Sequence, residues 1–445
     1  FPKINSHGLP SFKEVILKVG ETYLEQREEI IKQSHIISKS LELKKSLVLN
    51  QDLESILKNT MLNLDEERGG YRGSPKFPIF NIYDVLLFFF NKTKKLDYLK
   101  PIKLILKQLC SQGIYDHVEG GISRYTIDEN WLVPHFEKML YDNAQFVLLL
   151  SKYLKIEKNI YFEKKTIQTI NFINKNFISL ESKLLGSAYD ADSEGEEGKY
   201  YVFSYKELEK IEHIEKYFDI KPGGNWEGKI ILKEIKTPTE SIKLELKKLR
   251  EKKIKPFFDN KSQLDLNCLW VSALVSAEKV LPNNNFLKIA ETYYENLEKI
   301  FFSKIKLQHT TLKPEVFLED YAYSIAMLLD LYDHTLKPNY LFKAKKLCKE
   351  TIDFFYIKEK SIFQKNIVVN NDLFHNPVDI SDGNIPNGNS IMLLNFSRLK
   401  MRNEAKELSD SLNGYLNVYK SLMASALKSI EYFNSSDSSK NCTSE

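Results

Sequence analysis

The stretch from Gly113 to Gln145, GIYDHVEGGISRYTIDENWLVPHFEKMLYDNAQ, crowds ionisable and aromatic side chains around a pair of glycines. Its imidazoles, His117 and His135, titrate near neutral pH. Arg124 can fix a hydroxyl or a carboxylate, and Asp116, Glu137 and Asp142 can serve as acids, bases or orienting groups. Chemistry on a sugar needs either two carboxylates flanking a glycosidic bond or an acid and base that move a proton beside a carbonyl, and this segment holds both inventories. Tyr115, Tyr125, Trp131 and Tyr141, with Tyr189 further on, offer flat apolar surfaces against which a pyranose ring can pack. His135 with Glu137 or Asp142 is the first candidate pair for proton transfer.

The same segment predicts a helix beginning at Pro134, since proline's missing N–H costs nothing in a first helical turn. On a 3.6-residue period His135, Lys138, Asp142 and Gln145 then fall on one stripe, flanked by Phe136, Met139, Leu140, Val147 and Leu148. Burying such a stripe without partners costs several kcal/mol, of order ~2 to 7 for even a neutral polar group, so it must face solvent, a network or a lined cavity.

Further candidates lie outside this segment. Asp190 and Asp192 sit in DADSEGEEG, which matches the first half of a calcium loop, but the twelfth position is Tyr201 where a bidentate Glu is needed. No metal ligand set and no cofactor motif is read from the sequence. Glu319 and Asp320 in FLEDYAY fall at a predicted helix start, where the macrodipole favours acids. In GNIPNGNS, Asn387 can form an Asx-type turn and Asn389 can cap the following helix, with their amides as candidate hydrogen-bond donors to a ligand. Lys76, between two prolines in SPKFP, can present a fixed charge.

Positioning these groups requires a large fold. The chain has 445 residues, 42% hydrophobic, enough for an extensive core. Its 64 basic and 60 acidic residues leave a net charge of +4, with lysines scattered in short runs, which argues against a nucleic-acid surface. Four separated cysteines, Cys110, Cys268, Cys348 and Cys442, form no CxxC pair, so neither a disulfide framework nor a structural zinc is expected, and a reducing cytoplasm fits. The apolar run from Val85 to Phe90 is too short to span a bilayer, and no signal-peptide pattern is read, so no membrane partner is expected. The first residue is Phe1, which is the expectation for a processed chain or a piece of a longer one.

Apolar stretches of helical period recur in neighbouring pairs: Phe12 to Ser40 with Asp52 to Met61, Ile82 to Asn91 with Tyr98 to Gln112, and Pro134 to Leu154 with Tyr161 to Phe177. Three more follow: Asp265 to Val280 with Phe286 to Phe302, Leu318 to Thr335 with Tyr340 to Phe355, and Asn389 to Leu399 with Asn403 to Tyr432. The expected architecture is a mainly α, closed (α/α)6 toroid of six helical hairpins over residues 1–433, its inner helices lining a central funnel. Between 186 and 250 the period breaks. A small β-containing insertion is expected there, with strands at Tyr200 to Phe203 and Lys229 to Leu232, and residues 434–445 read as a disordered tail.

Six motifs in order, SPKFP, the Gly113–Gln145 segment, SAYDADSEGEEGKYYVFS, GNWEGKIIL, FLEDYAY and DGNIPNGNS, resemble the spermatogenesis-associated, thioredoxin-domain-containing family of bacteria and eukaryotes. The resemblance runs from about residue 1 to about residue 430. It implies a toroid like that of six-hairpin glycosidases and N-acylglucosamine 2-epimerases, preceded in the family by a thioredoxin-like domain that this chain does not contain. The chain departs from the family at PFFDNK (Pro256 to Lys261) and LNC (Leu266 to Cys268), where a basic, aromatic run is usual. The functional expectation is a carbohydrate-directed enzyme with a site in the central funnel and a small-molecule sugar as partner. The alternative is a non-catalytic helical module that docks the thioredoxin-like domain of the full-length protein.

Overall fold

The structure, a computed structural model, describes residues 1–6, 8–41, 52–303, 306–313, 315–367 and 377–441. In chain order the helices are α1 (Phe12–Glu25), α2 (Arg27–Ser40), α3 (Leu53–Met61), α4 (Phe80–Thr93), α5 (Leu96–Ser111), α6 (Leu140–Leu154), α7 (Ile160–Asn176), α8 (Tyr205–Leu208) and α9 (Glu240–Arg250). They continue with α10 (Leu264–Glu278), α11 (Phe286–Leu297), α12 (Leu318–Thr335), α13 (Pro338–Phe355), α14 (Gly388–Leu399), α15 (Arg402–Tyr419) and α16 (Ala424–Asn441).

Two kinds of helix alternate, and their composition explains where each sits. Helices α6 and α10 are apolar around most of their circumference and bury nearly every residue, so they must be enclosed on all sides. Helices α5, α11 and α13 carry one apolar stripe and bury that face alone. The packing follows: α4, α6, α10, α12, α14 and α16 each touch the next, and α16 returns to α4 to close a ring. Helices α5, α7, α11, α13 and α15 cover it from outside, and α3 packs on α16 as the sixth outer helix. An outer helix precedes each inner one and runs the other way, so the six inner helices start at the same end of the ring, its mouth.

The pairing differs from the sequence expectation at the seam. Asn403 to Tyr432 is not one outer helix: α15 ends at Tyr419, a 3-10 turn follows, and α16 is the sixth inner helix. It runs past Phe433 into the segment read as a tail, and residues 442–445 with Cys442 lie outside the described residues. Helices α1 and α2 bury no residue and stand off the ring, so the partner of α16 is α3, contributed from the other end of the chain.

The segment before α6 is also corrected. Pro134–His135 pairs antiparallel with Tyr125–Thr126, and Lys138–Met139 pairs with Ala188–Tyr189, which pairs in turn with Phe258–Asp259. Backbone held in strands cannot begin a helix, so α6 starts at Leu140, whose N–H donates to Ser187 O at 3.0 Å. The expected stripe is therefore broken. Burial instead alternates with the two-residue period of extended chain: Phe136 and Lys138 are buried, whereas His135 and Glu137 are half-buried.

The insertion has its own small core of Phe203, Leu208, Phe218, Ile230, Leu232 and Leu246, closed by Val118 from the Gly113–Gln145 segment. The two expected strands reduce to one bridge, Phe203 with Ile230; short strands form instead at Ala188–Tyr189, Asp192–Ser193 and Glu196–Glu197. Asp116 ties the insertion to the ring. Its carboxylate takes Lys138 Nζ at 2.7 Å and Arg250 Nη1 at 3.0 Å, all three buried. Burial alone would raise this carboxyl, but Arg250 and Lys138 outweigh it and hold it below the usual carboxylate range. The glycine pair makes the turn possible. Gly120 and Gly121 both have φ near +100° (107° and 79°), and a Cβ there would come within 2.8 Å of Gln168 O and Asn143 Oδ1 respectively.

Asp116→Ala should strip two buried cations of their counter-ion and destabilise the fold by about 3 to 5 kcal/mol, read from the midpoint of urea unfolding. Asp97→Ala, which removes an exposed pair with Lys100, should leave that midpoint unchanged.

Candidate functional site

The inner helices enclose a central cavity of about 290 Å³ lined from all six. Its walls are stripes at helical spacing: Gln145, Leu148, Leu149 and Lys152 on α6, Leu269, Ser272 and Ser276 on α10, Tyr323, Ala326 and Asp330 on α12. One turn toward the mouth on each stripe stands an acid. Asp142 precedes Gln145, Asp265 precedes Leu269, and Glu319 precedes Tyr323. Three neighbouring inner helices thus each place a carboxyl at the head of the cavity.

These carboxyls are unusual in what they lack. Asp142 Oδ2 and Glu319 Oε2 are buried without a hydrogen-bond partner, as are Tyr141 Oη and Arg124 Nε. Burial raises the Asp142 carboxyl well above its ordinary value, with Arg124 opposing and Glu137 adding to the rise. Burial also raises Glu319, whose Oε1 accepts from Gly388 N at 3.2 Å. Tyr323 lies among Asp265, Glu319, Asp382 and Asp84; burial first and then these four carboxylates drive its phenol far up. Its hydroxyl donates to Pro386 O at 2.8 Å.

A second hollow of about 230 Å³ adjoins the first through Phe80 and Asn81 and is walled by Tyr71, Phe77, Asp142, Asp382 and Asn384. Behind it Phe77, Tyr125 and His135 stack, with ring centroids 4.7 and 5.0 Å apart and planes within 25°. Arg124 donates to Glu137 Oε2 at 3.3 Å on the same side. A pocket with aromatic faces, a guanidinium and carboxyls with free oxygens can hold the ring face and hydroxyls of a polyol and deliver a proton to it.

At the heads of the adjacent helices α10 and α12, Asp265 and Asp320 converge with His309. His309 Nδ1 lies 2.9 Å from Asp320 Oδ1 and 3.9 Å from Asp265 Oδ1, and its Nε2 lies 2.8 Å from Gln263 Nε2. With Gln263 donating to Nε2, the imidazole N–H is on Nδ1, facing Asp320. Asp320 also accepts from Phe317 N at 2.8 Å. Burial and the neighbouring Asp320 push Asp265 up to about 7. Burial works against charge on His309, yet Asp320 and Asp265 outweigh it and raise its pKa. Among the described residues this is a set able to offer a metal three ligand atoms within 4.8 Å of one another.

The sequence candidates are distributed unevenly over this geometry. Asp142 lines the second hollow, Arg124, Tyr141 and Glu137 cluster with it, Tyr125 stacks behind Phe77, and Glu319 stands one turn before the cavity-lining Tyr323. His135 joins that stack through Tyr125, with Nε2 3.9 Å from Glu137, but its Nδ1 turns outward to Glu197 at 2.7 Å. His117 is not at the funnel: it is buried between Glu234 (3.2 Å), Gln112 O (3.0 Å) and Lys165 (3.3 Å), and burial and Lys165 hold its pKa down. It shares with Tyr115 and Asp116 a void of about 20 Å³, room for little more than one water.

Other candidates serve the scaffold. Tyr115 bonds Gln168 and Thr169, Trp131 donates to Arg68 O at 2.8 Å, and Lys138 is held by Asp116. Tyr189 donates to Asn176 O at 2.8 Å and stacks on Phe258. Asp190 and Asp192 are exposed, the latter in a surface hairpin with Glu197. Asn387, not Asn389, caps α14, accepting from Ser390 N at 2.9 Å, while Asn389 pins Phe363 through both N–H and C=O. Lys76 is buried on Asp65 at 2.7 Å and presents no charge to a ligand.

Sequence reasoning missed Asp265, His309, Asp382, Tyr71 and Phe77. Asp265 was legible as the i−4 neighbour of Leu269 on an inner helix. His309 stands in a loop without period and no local signal marks it, whereas Asp382 opens the DGNIPNGNS motif, in which the asparagines alone read as candidates.

No protein-family model matches the chain. It is 25% identical over 93% of its length to the uncharacterized protein B0495.5 of Caenorhabditis elegans, and 25% identical over 90% of its length to spermatogenesis-associated protein 20 of Homo sapiens. It spans 65% and 60% of those proteins, less than two thirds of either. Among solved structures it resembles cellobiose 2-epimerase from Bacillus thermoamylovorans (TM-score 0.53, 12% identity, covering 83% of this chain and 86% of that one). It likewise resembles unsaturated glucuronyl hydrolase from Bacillus sp. GL1 (TM-score 0.51, 9% identity, covering 86% and 94%). The GH76 α-mannanase BT2949 of Bacteroides thetaiotaomicron is similar as well (TM-score 0.50, 10% identity, covering 88% and 98%). The chain has the mainly helical six-hairpin toroid of these glycoside hydrolases and sugar epimerases.

Proposed function

We propose that this chain is a carbohydrate-directed enzyme whose site lies at the mouth of the toroid, where Asp142, Asp265 and Glu319 head the cavity-facing stripes of three adjacent inner helices. One observation carries the reading: Asp142 buries a carboxyl oxygen with no partner in the wall of a hollow lined by aromatic rings, and Glu319, one turn before the cavity-lining Tyr323, buries another. A buried, unsatisfied carboxyl costs about 1 to 3 kcal/mol, and a ligand hydroxyl would relieve that cost. Asp142 and Asp265, whose pKa values burial raises, are the proposed proton donors; Glu137, paired with Arg124, is the proposed base. The fold shared with glycoside hydrolases and sugar epimerases supports a sugar as the small-molecule substrate.

A second reading is favoured by α1, which exposes Phe12, Ile16, Val19 and Leu24, and by α2, which exposes Ile31, Ile36 and Ile37. In it the chain is a binding module that docks a thioredoxin-like domain on that face, in a cytoplasmic setting. Among the described residues no helix is long and apolar enough to cross a membrane.

Calorimetric titration of the chain with a panel of mono- and disaccharides separates the two readings. At least one sugar should bind, and Asp142→Asn should weaken it about tenfold or more, the scale of one hydrogen bond to an ionisable group. A panel without binding ends the enzyme reading.

The acid pair at the heads of α10 and α12 gives a pH signature independent of substrate. Asp265 keeps its proton in the fold up to about pH 7, whereas in the unfolded chain it ionises near 4. The folded state therefore binds the extra proton in that window, and its stability falls as pH rises from about 4 to about 7, then levels. Asp265→Asn should abolish most of this fall, so that the variant exceeds the parent in urea midpoint at pH 8 and matches it at pH 4.

A further inference from the structure

The central cavity has a second end, where the inner helices finish. Counting thirteen residues along α6 from Asp142 to Lys155 at 1.5 Å per residue puts this end about 20 Å from the mouth. Its lining holds five cations against two carboxylates. Asp84 is shared by Lys152 and Lys428, each within hydrogen-bond reach. Arg398 donates to Asp330 and to Asp333 at 2.8 Å each. Lys155 and Lys279 remain. Both are exposed lining residues, and among the described residues neither has a carboxylate within salt-bridge distance.

Lys155 and Lys279 stand at the C-caps of α6 and α10, as Lys94 and Lys400 do on α4 and α14, a placement the helix dipole favours. Of these four, Lys155 and Lys279 line the same hollow, and they repel one another: burial, then Lys279 and Lys152, lower the pKa of Lys155 against the pull of Asp330. Two unneutralised ammonium groups beside a guanidinium match a dianion in charge and in donor geometry. Above them Leu148, Val275 and Leu394 leave apolar wall for an organic body attached to that anion.

We propose that the far end of the toroid is a phosphoryl-binding site, formed by Lys155 and Lys279 with Arg398 behind them, separate from the sugar site at the mouth. The ligand is inorganic phosphate or a small phosphate ester, and the two sources share the chemistry that the lysines recognise. Nothing in this assignment depends on the mouth being catalytic.

Calorimetric titration at a fixed ionic strength of about 50 mM, low enough to leave exposed charges unscreened, tests it on the whole chain. Inorganic phosphate, glucose 6-phosphate, glucose and sodium chloride are the four titrants. Binding of either phosphoryl compound, weakened about tenfold or more in the Lys155→Gln/Lys279→Gln double variant and unchanged in Asp142→Asn, supports the site. Tighter binding of the ester identifies the ester as the ligand, and equal affinity identifies free phosphate. The proposal is overturned if neither phosphoryl compound binds, if the double variant binds as well as the parent, or if chloride displaces phosphate at equal concentration. The substitutions lie on exposed positions, and an unchanged circular dichroism spectrum confirms that the double variant is folded.

Discussion

A helix that is apolar around its circumference, as α10 is from Leu264 to Ala277, has to be enclosed, because no face of it can be left to water without exposing large side chains. One such helix can be buried in a bundle. Six inner helices, α6 and α10 almost wholly buried among them, are enclosed together when they form a ring that amphipathic helices wrap. Ring closure is then a requirement of burial. The join between α16 and α4, with α3 laid over it, is where the two ends of the chain meet that requirement.

The ring also creates a hollow of its own. Helices of ordinary width packed six in a circle leave a hollow on the axis, and the residues facing it are fixed by helical period. Apolar groups fill most of each stripe, and its two ends carry different ionisable groups: buried carboxyls at the mouth, cations at the far end. About 20 Å of helix separates the two sets, too far for them to pair with one another.

Loops complete the mouth. The Gly113–Gln145 segment is a structural joint first, carrying the Asp116–Lys138–Arg250 network that fastens the insertion to the ring, and a wall of the site second, through Arg124, Tyr125, Glu137 and the start of α6. The same crowding of charged residues that marked the segment as chemical thus divides into a buried half that holds and an open half that faces the hollow. The two roles are interleaved at single-residue spacing because the chain there is extended, and successive side chains point to opposite sides.

Composition, helical period and paired apolar stretches were sufficient to predict a mainly α toroid of hairpins, since burial dictates that outcome locally, helix by helix. Asp142, Glu319, Tyr141 and Arg124 were also legible, because they belong to the same periodic stripes or to the charged segment beside them. Tertiary structure alone decided the rest. It turned His117, Lys138 and Asn389 inward to satisfy buried backbone and carboxylates, and it moved the start of α6 from Pro134 to Leu140 through strand partners more than forty residues away. It also brought His309 to Asp265 and Asp382 to Asn81 across distances in sequence that no period encodes. Local sequence fixes which face of an element is apolar; which groups meet across the hollow depends on how six such elements close.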